Sequence, residues 1–505
     1  MKNEPIDNEK LQEIIVQQAH EIDSQQQEIN YLKEKLDYLI RQKYSSKSEK
    51  FPSNQPSLFD EDNQEEIVVV EEDKEVIEYS RRKGGRKKAP PSLPRVRVEH
   101  DINEEDKICS CGDTMHLVKE LVSEQYDIVP ARFQIVQNVR FVYGCRCGAK
   151  PKTTPVPPMI LPKSQITPSF LATLAVQKFE DALPLHRQAK IFKNRFGVPF
   201  SDTSLSNWII KGSMALKPIM ELLQQKLLEN EYIQADETSL QVLKEDNRKA
   251  TQKSYLWLSV GMDKYPVVYM HYANSRSADT PTTLFKGFRG YLQSDGYAGY
   301  NAITKQEGIT QLGCFAHARR KFADIIKSNK SDLESKAYAK EAVTLIQKLY
   351  KIEKAIKAEP PNIKYKARDE QAKPIIDKLR AWIDTKFFKA QQIGGAIAKA
   401  FIYLNNQFRK LTVYLEDGRL HIDNNRAENH IRPIALGRKN WLFATSTKGA
   451  EAIAIWYTII ESAKANKLEP YFYLEYLLTK LPIYINEKRD IEELLPWNVS
   501  KELLA

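Results

Sequence analysis

The sequence predicts an α/β fold: a mixed sheet with helices on its faces, a helical insertion within it, and smaller modules ahead of it. Three observations carry this expectation. From Tyr232 the hydrophobic period becomes two, and "YIQADETSLQVL", "YLWLSVG", "PVVYMHY" and "YLQSDG" follow one another as strand candidates. From Lys336 to Leu415 the period is helical, broken at Pro360–Pro361 and at Gly394–Gly395. Residues 8–43 carry heptads instead. At 505 residues the chain is long for one domain, since about 100–200 residues per domain is usual.

In chain order, residues 8–43 read as a coiled coil. Ile15, Ile22, Ile29 and Leu36 recur every seven residues, and Leu11, Gln18, Gln25, Leu32 and Leu39 form the second series. Isoleucine at a with leucine at d favours a parallel homodimer, and the two glutamines set its register. Residues 44–94 read as a linker whose charge changes sign. Ten carboxylates and one lysine lie from Asp60 to Tyr79; then come Arg81, Arg82, Lys83, Arg86, Lys87 and Lys88 in "RRKGGRKKAPPSLPR". Glycine and proline keep this basic strip extended, a form that suits a DNA minor groove.

Residues 95–160 contain two knuckles, "CSCG" and "CRCG", separated by β-like sequence from Gln134 to Tyr143. Brought together, Cys109, Cys111, Cys145 and Cys147 offer four thiolates to a tetrahedral zinc ion, as in a zinc-ribbon-like module. Residues 165–228 read as a helical module. "TPSFLATLAVQKF" opens with a capping threonine and a proline at the next position. "GVPFSDTSLSNWI" gives a turn and a cap at Ser201 or Asp202, which resembles a DNA-binding helix-turn-helix. Residues 229–326 and 419–466 then form the two parts of a core around the insertion 327–418, and 467–505 is an aromatic-rich tail.

Charge points to the partner. The chain carries +10, but Met1 to Tyr79 holds 9 basic and 20 acidic residues, a net −11, so the remainder carries +21. A basic body of that size suits a polyanion. No apolar run approaches the ~20 residues of a membrane span, and "MKNEPIDNEK" has no signal-peptide core, so the expected location is cytoplasmic.

The acids with chemical promise are Asp236, Asp295 and Glu428. Tyr232, Gln234 and Asp236 share one face of a strand, while alternation aims Glu237 the other way. An aspartate in an apolar strand is costly unless paired or metal-bound. Asp295 stands at a strand end beside Gly296, a usual place for a site in α/β sheets. Asn424, Glu428 and Arg432 share a helix face at i, i+4 and i+8, next to Asn425. Taken together, two sheet aspartates and a helix glutamate in a basic protein can hold two hard divalent ions, magnesium or manganese, for phosphodiester chemistry. Arg432, Arg438 and Lys439 would contact phosphates, as would Arg319 and Arg320; His317 would contact the scissile phosphate or orient a ligand.

The segments "ADET", "SDGYAGY", "GCFAHARRKF", "IDNNRAENHIRPIALGRKNWLF" and "ELLPWN" resemble the transposases of the insertion sequence 66 family of bacterial mobile elements. The zipper, "GRKKAPPSLPR", the cysteine pairs and "ALPLHRQAKIF" match in order, so the resemblance covers nearly the whole chain. It implies a ribonuclease-H-like fold with an Asp-Asp-Glu triad at Asp236, Asp295 and Glu428, separated by 59 and 133 positions. It also implies binding to terminal inverted repeats, strand cleavage and transfer to target DNA, accessory proteins from the same element, and a bacterial, nucleoid-associated location. Two positions depart from the family pattern: Ala427-Glu428-Asn429 replaces Ala-Glu-Arg, and Cys109-x-Cys111 is one residue short of C-x-x-C. The alternatives are a zinc-dependent DNA-binding regulator with an inactive catalytic domain, and a nuclease or resolvase on the same fold.

Overall fold

A computed structural model describes residues 97, 110, 132–143, 152–329 and 331–500. The heptads of 8–43, the linker with Arg81, Arg82, Lys83, Arg86, Lys87 and Lys88, and the thiols Cys109, Cys111, Cys145 and Cys147 lie outside the described residues.

The β-like stretch before the second cysteine pair forms strand only at its end. There β1 (Val142–Tyr143) pairs antiparallel with β2 (Lys152–Thr153). Upstream, Phe133 reaches an aromatic cluster, its ring 5.6 Å from those of Phe170 and Phe196. The cluster belongs to the helical module. Helix α1 (Pro168–Phe179) begins as its sequence predicts, with Thr167 Oγ1 accepting the Phe170 N–H at 3.2 Å and proline next to the cap. α2 (Leu185–Phe196) stops at Gly197, whose φ of 72° supplies a left-handed C-cap. Ser201 caps α3 (Asp202–Ala215), and α4 (Lys217–Leu228) follows.

The sheet then forms. β3 (Tyr232–Lys244), β4 (Lys253–Gly261) and β5 (Val268–Ala273) make an antiparallel meander. After the short α5 (Asp279–Leu284), β6 (Gly290–Gln293) runs parallel to β3, and β7 (Ile309–Leu312) runs parallel to β6. The strand order is β5-β4-β3-β6-β7. Both faces of central β3 are covered, so its first four residues are buried without alternation.

Next, α6 (Phe315–Lys327) leads into the insertion: α7 (Leu333–Ala355), α8 (Pro361–Ala367), a π-helical turn at Arg368–Ala372, α9 (Lys373–Ile393) and α10 (Gly395–Thr412). The breaks fall where proline and glycine predict them; Gly394 and Gly395 have φ of 74° and 61°. These helices have their own apolar core, in which Trp382 stacks on Phe401 at 4.7 Å.

The chain re-enters the sheet through α11 (Asn425–Trp441) and β8 (Ala444–Ser446), which pairs with the far end of β3 at Val242 and Lys244. β6 pairs only with Tyr232–Gln234, so this side of β3 has a gap between its two parallel partners. α11 packs against β3 and β4. Last come α12 (Thr447–Ala465) and α13 (Pro470–Glu487). α12 is buried along most of its length and packs on β5 and α3, where Trp456 donates to the Ile209 carbonyl at 3.0 Å. It also bonds the outer rim of β5: Ser462 Oγ accepts the Val268 N–H and donates to the Val268 carbonyl, both at 3.0 Å, and Thr458 Oγ1 accepts the Met270 N–H at 2.8 Å. Among the described residues no helix is long and apolar enough to cross a membrane.

Candidate active site

Asp236 lies in mid-β3, where the strand leaves β6 and enters the gap. Its Oδ1 accepts the Glu237 N–H at 2.8 Å. Burial pushes its carboxyl well above the ordinary aspartate range, and the charges of Glu237, Asp295 and Glu428 push it further. Geometry locates the site: the parallel register puts Asp236 and Asp295 each two residues beyond the paired Gln234 and Gln293, and Asn424, just before the helix of Glu428, bonds the Ala235 carbonyl. Asp295 stands two residues past β6 and is held by the Tyr297 N–H, which donates to its Oδ1 at 2.9 Å. Glu428 sits in the first turn of α11, with Oε1 3.5 Å from His317 Nδ1 and Oε2 3.4 Å from Arg320. The structure therefore brings Asp236, Asp295, Glu428, His317 and Arg320 together.

Buried amides hold these segments in place. Gln234 Nε2 donates to Gln293 Oε1 at 2.8 Å and to the Asp423 carbonyl at 3.0 Å, and Gln234 Oε1 accepts the Ala427 N–H at 3.2 Å. Gln293 Nε2 donates to the carbonyls of Gly313 and His421 at 3.0 and 2.9 Å. Two glutamines thus join β3, β6, the approach to α6 and the approach to α11. Each unmade bond in such a buried network costs roughly 1–3 kcal/mol. Asn424 completes the tether: its Nδ2 donates to the Ala235 carbonyl at 3.0 Å, one residue before Asp236. Sequence reading put Gln234 on the Asp236 face without giving it this role, and it passed over Gln293.

Other candidates lie apart from the acids or are engaged nearby. Asn425 turns to Asp423, to which its Nδ2 donates at 3.1 Å. Arg432 is half-buried on the Glu428 helix, and Arg319 is half-buried on α6. Arg438 is drawn into the gap of the sheet, where it donates to the Ser239 carbonyl and, at 3.2 Å, to Ser239 Oγ. Lys439 is exposed. Glu237, which alternation aims away from Asp236, is ion-paired to Arg276 and accepts from Tyr300 at 2.9 Å. Its charge still acts on Asp236, so the acidic cluster has four carboxylates rather than three. The adjacent acids in "ADET" were the available signal.

Two donors beside the aspartates are of a kind a divalent cation could use. Glu428 Oε1 and His317 Nδ1 are buried without a hydrogen-bond partner, and the repulsion among the carboxylates is of the kind that a cation relieves. Burial lowers the His317 pKa despite the attraction of Glu428 and Asp295, which favours a neutral ring. Cys314 Sγ lies within 4.8 Å of the His317 and Glu428 donor atoms. Burial raises its pKa, and it accepts the Asn424 N–H at 3.3 Å, so its place is in the core.

Comparison with known proteins gives matches along most of the chain. Residues 163–452 match the family described as Transposase IS66 family, and residues 458–497 match the IS66 C-terminal element. Residues 31–98 match Transposase C of IS166 homeodomain, and residues 106–148 match the zinc-finger binding domain of transposase IS66. Among curated proteins, the uncharacterized protein y4jD of Sinorhizobium fredii is 31% identical over 424 residues, covering 81% of each chain. The uncharacterized protein y4hP of the same organism is 30% identical over 438 residues, covering 83% of this chain and 78% of its own.

Proposed function

Because the chain belongs to the IS66 family of transposases, we propose that it cuts DNA at the ends of a mobile element and joins the freed 3′ ends to target DNA, with Asp236, Asp295 and Glu428 as the catalytic acids. The observation that supports this reading is the placement of Asp236 and Asp295 each two residues beyond the paired Gln234 and Gln293, with the start of the Glu428 helix tethered to Ala235 through Asn424. The strand order supports a ribonuclease-H-like core: an antiparallel meander whose first strand is central, followed by two parallel strands.

Asp236, Asp295 and Glu428 would hold magnesium or manganese, which supplies charge stabilisation and a more acidic attacking hydroxyl. The chain's own groups do the rest. Asp236 must lose its proton before it can serve as a ligand. Arg320, held by Glu428 at 3.4 Å, presents a guanidinium beside the acids, where it can bind a phosphate oxygen. Neutral His317 can donate to or accept from the reacting strand.

The zinc-finger match supports zinc binding, which we assign to Cys109, Cys111, Cys145 and Cys147. The heptads of 8–43 would pair two copies, and residues 81–88 with the helical module would find the terminal inverted repeats, aided by accessory proteins of the element.

The test is cleavage of a labelled element end in magnesium. Asp236→Ala should keep affinity for the end and lose cleavage by about 10³-fold or more. Unchanged cleavage in that variant would remove the assignment.

A further inference from the structure

Asp295 is followed by Gly296, and Gly296 opens onto a cleft that the catalytic assignment leaves unused. The cleft has a volume of about 740 Å³ and is walled by the loop after Asp295, by α6 and by α10 of the insertion. That volume is within the range of pockets, ~300–1,000 Å³, that hold a molecule of nucleotide size. It is open to solvent rather than enclosed.

Its chemistry is one-sided. Lys321, Lys399 and Lys410 line it, and no carboxylate does. Among the described residues none of the three lysines is in an ion pair. Lys410 donates to Asn301 Oδ1 at 2.6 Å, Lys321 stands 4.5 Å from the centre of the Tyr403 ring, and Lys399 is exposed. In a chain with 66 acidic residues, three lysines free of carboxylates around one cleft mark a site for an anion.

The wall between the cations is different in kind. Ile402 is 41% exposed, and Asn406 and Gln407 present amides from the same helix. Gln407 Oε1 is buried without a hydrogen-bond partner, so a side-chain rotation gives it an acceptor to offer. Ammonium groups for phosphates, beside amides and an apolar surface for base faces and edges, suit a strand whose bases are unpaired. Paired bases would be stacked away from such a wall.

The position ties the cleft to the acids. A Cβ at Gly296 would stand 2.4 Å from the Tyr403 ring, so only glycine lets α10 pack this close to the residue after Asp295. We propose that the cleft guides a short unpaired stretch of DNA strand past Asp295, with its phosphates on Lys321, Lys399 and Lys410 and its bases against Ile402, Asn406 and Gln407. This rests on the transposase reading and extends it. It gives the insertion a task, which is to supply the second wall of the strand path. The strand belongs either to the element end or to the target.

The experiment uses the full chain carrying Lys399→Glu and Lys410→Glu together, with Lys399→Gln/Lys410→Gln as a milder pair whose melting temperature should match the parent. Binding of a labelled single-stranded oligonucleotide is followed by anisotropy across a salt series. The expected result is an affinity loss of about tenfold or more and a salt slope smaller by about 1.4, the share of two single-strand phosphate contacts. Affinity for the fully paired terminal repeat should be unchanged. Asp236→Ala should bind the oligonucleotide like the parent chain, so a failed catalytic assignment would leave this readout intact. Two further arms identify the strand. Loss confined to end cleavage assigns the cleft to the element strand, and loss confined to joining of pre-cut ends assigns it to the target strand. An unchanged oligonucleotide affinity and salt slope in both variants overturns the proposal.

Discussion

Asp236 works against the fold that contains it. Its carboxyl is raised by burial and by three neighbouring acids, so it favours folding only while protonated. That contribution is complete below the ordinary aspartate range and is lost as the pH rises through the raised value. At pH 8 with chelator, Asp236→Asn should therefore melt a few degrees higher than the parent, a gain of ~1–2 kcal/mol, while losing cleavage. Magnesium should raise the melting temperature of the parent and not of the variant; equal stabilisation of both would count against Asp236 as a ligand. Cleavage should rise with pH as Asp236 ionises, and more magnesium should move that rise to lower pH. At this scale sequence proposes the three acids, Asp236 by strand alternation, Asp295 by a strand end beside Gly296 and Glu428 by its helix spacing. The supports were not. Gln234 and Gln293 gain their meaning from each other across 59 positions, and nothing local marks a glutamine as a tether. Arg438 reads as a phosphate-facing cation until the gap in β3 shows where its guanidinium goes.

The π-helical turn of the insertion shows how one element can fix another. Arg368 is 1% exposed and forms five hydrogen bonds: two to Glu353 at 2.9 and 2.7 Å, and three to the carbonyls of Tyr414, Asp417 and Leu420 at 2.8–2.9 Å. Those carbonyls lie in the segment that leads to α11 and Glu428. Arg368→Met should cost ~3–5 kcal/mol by leaving Glu353 and three carbonyls unmatched, and Arg368→Lys should not rescue it, since an ammonium lacks the planar fork. Urea unfolding checks the stability. Cleavage below the midpoint should also fall if the insertion sets the position of Glu428. The insertion itself was readable from its period and from its proline and glycine breaks. The π turn was not, because "RDEQA" has the composition of any exposed helical turn.

For the whole molecule, charge is the property that sequence alone conveys best. Residues 80–505 carry +21, so affinity for DNA should fall linearly in log–log form with salt, by about 10³–10⁵ between 50 and 200 mM if six to ten phosphates are neutralised. A flat salt dependence would contradict a backbone-dominated interface. Elemental analysis should find zinc in the purified chain, and Cys109→Ser should remove it. Domain boundaries were harder to read than charge. The expected cuts at 228 and 466 run through one apolar core, which extends from α1 across the sheet to α13. The Ser169 and Tyr471 hydroxyls meet at 3.0 Å across 302 positions, a pairing that no local period reveals. One detail of that core bears on assembly. With Ser462 bonded to both the amide and the carbonyl of Val268, and Thr458 to the amide of Met270, those three groups on this margin of the sheet are already engaged and cannot recruit a strand from a second copy.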